Sequence, residues 1–423
     1  MFYLLFTAYL ALFCWLITRI RFFRDTGLGN YIVIALFLAR IVFAMVNAYL
    51  NTIYNPFTDV NSFHLQGIAE YNLLFHHTRE YFVNIFHNTH SEGFGNFLES
   101  SDSFWNDTRS NLIVKMLSIF DIFSDKNFFI DSLFFNFLVF FGSVALYKVF
   151  IKVFHNEKQV LIVCLFLLPS ATFFSSAVHR DGIIFLSLSL VIYQFYFMMK
   201  NRRYPWKSIL ITLFFLMVIL LIRNFVFIIL IPALLAWFIA KRWGKNAFAV
   251  FLIVHLTLAV LFFATAALPP AYNLPAHVSS RQSDFIKIGK GGTSTININQ
   301  LQPNVWGFLK NAPQALNHSF MRPYLTELVN FFYVPAALEI FLSEIIFVLF
   351  IFFRKKNIHS PPLIYFCIFF SLTTFLVIGY TIPIIGAIAR YRSIYYPLIM
   401  TPIACYTDWA RLRGIFIREF IIC

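Results

Sequence analysis

Residues 207–242 read KSILITLFFLMVILLIRNFVFIILIPALLAWFIAKR. Two apolar runs, 207–222 and 224–240, are parted only by Arg223-Asn224, with basic residues at both outer ends. A helix on a soluble protein keeps a polar face, and neither run has one. Each is close to the ~20 apolar residues that cross a hydrocarbon core. The stretch is therefore read as a membrane hairpin with Arg223-Asn224 as its whole outer connection.

The same pattern extends in both directions. Apolar runs at 2–18, 31–50, 128–147, 159–177, 183–199, 247–268, 331–353, 362–381 and 393–409 join the two above. The chain is 60% hydrophobic and 12% charged, which excludes a soluble fold. The expectation is an all-α polytopic membrane protein of about eleven transmembrane helices, one integral-membrane domain over 1–423. Two long loops, 51–127 and 269–330, interrupt it and are expected to carry surface helices. In the first, Leu112, Ile113, Met116, Leu117 and Phe120 fall at helical spacing suited to the membrane surface.

Orientation follows from Lys and Arg. Six short stretches on one side of this topology hold nineteen of the thirty-three basic residues. Short basic connections face the cytoplasm, so both long loops face outside. The net charge of +14 is then chiefly a topology signal and gives no reason to invoke nucleic acid. Residues 2–18 lack a basic leader and a small-residue cleavage site, and read as an uncleaved span. Cys14, Cys164, Cys367 and Cys405 lie in runs and Cys423 ends the chain, so no disulfide framework or cysteine metal site is expected. The fifty-seven Phe residues are read as bilayer-facing side chains.

Ionisable groups at the outer ends of these runs point to chemistry, because charge at membrane depth is expensive and normally faces a cavity or a partner. Arg180, Arg223, Arg322, Arg390 and Arg392 all fall there. Arg390-Tyr391-Arg392 suits bidentate grip of a phosphate with a sugar stacked on the ring. In His179-Arg180-Asp181, Arg180 would bind phosphate while Asp181 orients it or the acceptor. Arg223 reads equally well as a snorkelling lipid anchor. Arg322, in Met321-Arg322-Pro323-Tyr324, leads to Glu327. Asp59, in the string from Asn55 to His64, follows a helix-ending proline and reads either as a general base on a hydroxyl or as a helix cap.

Other features carry less. His76, His77, His87 and His90 are irregularly spaced without an HExxH pattern, so no metal or other cofactor is predicted, although a divalent ion is compatible with them. Lys290-Gly291-Gly292 lacks the spacing of a phosphate loop, and GKGGTST at 289–295 reads as a lid or linker.

With these residues in place the chain resembles the GT-C superfamily of integral-membrane glycosyltransferases. The resemblance rests on an acidic residue in the first long outer loop, Asp59 followed by Phe63-His64. It rests also on a proline-led helix ending in a polar tip, Pro169-Ser170 through Asp181, and on Arg390-Tyr391 with Pro397 downstream. It implies a polyprenyl-phosphate-sugar donor, a glycan or lipid acceptor, membrane-lipid partners and a site on the outer face of a bacterial inner membrane. Asp59 and Asp181 would be catalytic, with His64, Glu70 and His179 beside the acceptor. The family's paired acids do not appear as an Asp-Glu dipeptide, which leaves Glu70 and Glu92 as candidate second acids. Polysaccharide polymerases and O-antigen ligases, which use polyprenyl-pyrophosphate glycans, are the nearest alternative. A lipid or solute transporter is the other; its charges within spans would be Arg40, Glu339 or Glu344.

Overall fold

Helices start where the sequence supplies acceptors for their first N–H groups. Thr58 Oγ1 accepts from Asn61 N, Asn246 Oδ1 from Phe248 N, and Asn304 Oδ1 from Gly307 N. The computed structural model describes residues 2–84, 97, 104–244, 246–290, 294–327, 333–356 and 360–413. In chain order its helices are α1 (Phe2–Arg19), α2 (Arg21–Arg24), α3 (Asn30–Tyr49), α4 (Asp59–His76), α5 (Thr78–Val83), α6 (Phe104–Ser124) and α7 (Phe128–Phe150). Next come α8 (Lys158–Ile162), α9 (Pro169–Ser176), α10 (Arg180–Asn201), α11 (Trp206–Ile222), α12 (Asn224–Trp243) and α13 (Ala247–Ala264). The remainder are α14 (Leu274–Gly289), α15 (Val305–Met321), α16 (Val334–Phe352), α17 (Pro362–Thr381), α18 (Ile385–Ser393) and α19 (Tyr396–Tyr406). Among the described residues β-structure is limited to two isolated bridges, Thr295 with Ile384 and Arg354 with Thr407.

The all-α, multi-pass character expected from sequence is what these helices have. Among the described residues eight are long and apolar enough to cross a membrane: α1, α3 with its continuation to Tyr54, α7, α10, α12, α13, α16 and α17. The number falls short of eleven for local reasons. The run at 159–177 is broken at Leu168, which takes an extended backbone before Pro169, and its two pieces bend by 43°. Counted as one span they make nine. The run at 207–222 forms α11, a 17-residue helix, and the run at 393–409 forms only the 11-residue α19.

The helices gather into two compact units. The first contains 1–149 and 172–227. Here Phe is core as well as surface: Phe13, Phe23, Phe37 and Phe140 are buried, and the Phe13 ring stacks on Phe137 at 4.4 Å. The first long loop contains α4, α5 and α6. Rather than lying apart as a surface helix, α6 buries Ile113, Val114 and Leu117, and packs against α4. Gly67 permits that approach, since a Cβ there would lie 2.9 Å from Leu117 Cβ. Glu70 on α4 accepts from Lys115 Nζ on α6 at 2.6 Å and from Asn84 Nδ2 at 2.8 Å. Arg40, buried in α3, donates to Asn136 Oδ1 at 2.9 Å and to the Ser175 carbonyl at 2.8 Å.

The second unit contains 150–171 and 228–423. Leu301, Phe308, Ala315 and Tyr380 form a core cluster there. Gln282 ties the second long loop to α17, donating to the Tyr380 carbonyl at 2.8 Å and accepting from Leu301 N at 2.8 Å. Glu339 on α16 receives the backbone N–H of Ser170 at 2.6 Å and its hydroxyl at 2.8 Å.

Candidate functional site

The start of α10 and the end of α11 gather a group of ionisable side chains in the first unit. These helices pack as neighbours, so the C-terminus of α11 meets the N-terminus of α10. His179 caps α10 with an extended backbone and Arg180 opens it. Gly182 lets the first turn settle against α7: a Cβ there would lie 2.6 Å from the Phe135 ring and from the Ser175 carbonyl. The neighbouring Asp181 is thereby buried.

A row of four side chains results. Arg223, which ends α11, forms a buried ion pair with Asp181 Oδ1. Asp181 Oδ2 lies 3.2 Å from His179 Nδ1. On the other side of that imidazole, Nε2 lies 3.8 Å from Asp59 Oδ2. Burial falls along the row, from Asp181 and His179 at 1% and 5% side-chain exposure to Asp59 at 72%. A buried carboxylate that holds one imidazole nitrogen fixes the ring and the tautomer, leaving the second nitrogen to take a proton near solvent. Arg180 donates to Ser110 Oγ at 2.7 Å, and its guanidinium lies 5.7 Å from the centre of the Phe63 ring. The same ring stands 5.5 Å from His179.

Asp59, His179, Arg180, Asp181 and Arg223 are thus brought together in one unit. The cap of α4 is Thr58, and Asp59 follows it as the first helical residue, so the capping alternative for Asp59 does not hold. Arg223 is committed to Asp181 rather than extended as a lipid anchor. Glu70 serves the α4–α6 link, away from the row. His64 lies 3.8 Å from Asp131.

The remaining arginines belong to the second unit and have different partners. Arg392 is 1% exposed and donates from Nη1 to the Ser319 carbonyl at 2.8 Å and the Arg322 carbonyl at 2.7 Å. Arg322 pairs with Glu327 at 3.0 Å. Arg390 is half-buried, 5.9 Å from the Tyr391 ring centre. His87, His90, Glu92 and residues 291–293 of the GKGGTST stretch lie outside the described residues.

Sequence reasoning passed over Ser110, Asp121 and Asp131. Nothing local marks Ser110. Asp131 carried a signal, an acid four residues into an apolar run, which is rare without a partner. Comparison of the chain with family models, with curated proteins and with solved structures finds no match.

Proposed function

We propose that this chain is an integral-membrane glycosyltransferase that moves a sugar from a polyprenyl-phosphate donor to a glycan or lipid hydroxyl on the outer face of a bacterial inner membrane. The observation that carries the reading is the Asp59–His179–Asp181–Arg223 row. The acceptor hydroxyl enters beside Asp59 and gives its proton to His179 Nε2. Asp181 supports the imidazolium that forms, and the ion pair with Arg223 holds the Asp181 carboxylate against the ring. As the new bond to the anomeric carbon forms, the bond from that carbon to the phosphate oxygen breaks. The departing polyprenyl phosphate keeps the bonding pair, and the proton on His179 leaves with product or solvent. Arg180, at the positive end of α10, meets the charge that develops on the phosphate.

Arg40 and Glu339, two of the three charges within spans named for transport, hold internal hydrogen bonds to Asn136, Ser175 and Ser170. The direct test offers the purified full chain a polyprenyl-monophosphate sugar and a polyprenyl-pyrophosphate oligosaccharide in parallel. Turnover of the first is the expected result. Turnover of the second alone moves the assignment to a polymerase or ligase, and passage of substrate into liposomes with no new glycosidic bond removes both enzyme readings.

A further inference from the structure

Below Asp59 on the same helix, His64 faces two carboxyls from α6 and α7. Donor atoms of His64, Asp121 and Asp131 all lie within 4.8 Å of one another. Asp121 and Asp131 are 1% and 0% exposed, and among the described residues no hydrogen bond of ordinary geometry reaches any of their four carboxylate oxygens or His64 Nδ1. Lys126, the nearby cation, donates to Asn72 Oδ1 at 3.3 Å and lies over the Tyr71 ring instead.

Two adjacent buried carboxylates cannot both stay ionised without a counter-charge, because each has lost water and repels the other. The counter-charge is either a proton on the pair or a cation at the point the three groups face. Packing favours the second. Gly67 brings α4 onto α6, and a Cβ at that position would lie 3.5 Å from Asp121 Oδ2, so the imidazole one turn earlier is held over the acids. A single shared proton would leave His64 Nδ1 without a role.

We propose that His64, Asp121 and Asp131 bind one divalent first-row transition ion, Zn²⁺ or Mn²⁺ in character, which clamps α4 to α6 and α7. One imidazole and two carboxylates suit such ions better than Ca²⁺, which prefers six or more oxygens. Ligands about 2.0–2.2 Å from the ion would draw the three groups inward only slightly, and the two carboxylates neutralise the metal charge. The site stands whether or not the reaction proposed above is correct, since its readouts are metal content and stability.

The experiment uses the full chain in detergent, without a polyhistidine tag, stripped with EDTA and titrated with ZnCl₂ or MnCl₂. About one ion per chain should bind, with a rise in melting temperature, and Co²⁺ should give a d–d absorption band. His64→Ala and Asp131→Asn should each weaken binding by more than about 100-fold, beyond the 10–100-fold cost of disturbing a neighbour of a ligand. A His76→Ala/His77→Ala variant should bind normally. Absence of binding to the wild-type chain overturns the proposal, and that result depends on no variant folding. A melting temperature that rises in Asp131→Asn without metal assigns the pair to a shared proton and also overturns it. So does binding that survives both ligand substitutions.

Discussion

The two units handle buried positive charge in opposite ways. In the first, Arg223 is paired with Asp181, which holds His179, which reaches toward exposed Asp59, so the burial of one charge organises a series of titratable groups out to the surface. In the second, buried Arg392 gives both hydrogen bonds of its Nη1 to the Ser319 and Arg322 carbonyls, which cannot titrate, and meets the Glu339 carboxylate only through the electrostatic field. Both arginines look alike in sequence, each at the end of an apolar run. On the function proposed above, the difference teaches that a buried guanidinium serves chemistry when its partner is an acid within reach of a base, and serves architecture when its hydrogen bonds go to main chain.

The largest effect expected from this contrast is kinetic. His179→Ala should lower kcat by about 10²–10⁴-fold while the protein still folds, the usual range for removing a general base. Arg392→Ala should lower activity only in proportion to the folded fraction. Steady-state turnover and a melting curve on each variant measure both, and a fully active His179→Ala protein would erase the distinction. The next effect is on stability. Arg223→Met leaves Asp181 buried without its partner, a loss of about 3–5 kcal/mol. Adding Asp181→Asn should restore most of that stability but not the activity, because the imidazole is then no longer held by a carboxylate. Smaller again is Arg392→Met, which removes two charge-assisted bonds to carbonyls and should cost about 2–3 kcal/mol after repacking. The KM for donor should stay unchanged. A raised KM with unaltered stability would return Arg392 to the phosphate site.

The same contrast explains how much was legible in the sequence. Apolar length and basic flanks are local properties, so 224–240 could be read directly as the span that α12 forms. The break at Leu168-Pro169 was also local, written in the preference of a residue before proline for an extended backbone. The partner of Arg223 was not local, since it follows from how α10 and α11 pack. The partners of Arg392 were not local either: phosphate and carbonyl oxygens accept from guanidinium in similar ways, and no spacing separates them. The meeting of His64, Asp121 and Asp131 depends on Gly67, whose close packing is invisible until the helices are placed.

The smallest effect sharpens the comparison furthest. Thr58 and Asn304 cap α4 and α15 with one side-chain acceptor each, and losing either should cost about 1 kcal/mol. Thr58→Ala frays the turn that carries Asp59, so the acid spends less time beside His179. If the whole cost falls on that turn, activity falls by about five-fold at most. Asn304→Ala should lower the melting temperature by a similar amount and leave turnover per folded molecule intact. Thr58→Ser, which keeps the acceptor oxygen, should restore both stability and rate. Equal activity losses in the two alanine variants would mean that global stability alone governs the rate, and that the position of Asp59 at the open end of the row has no special consequence.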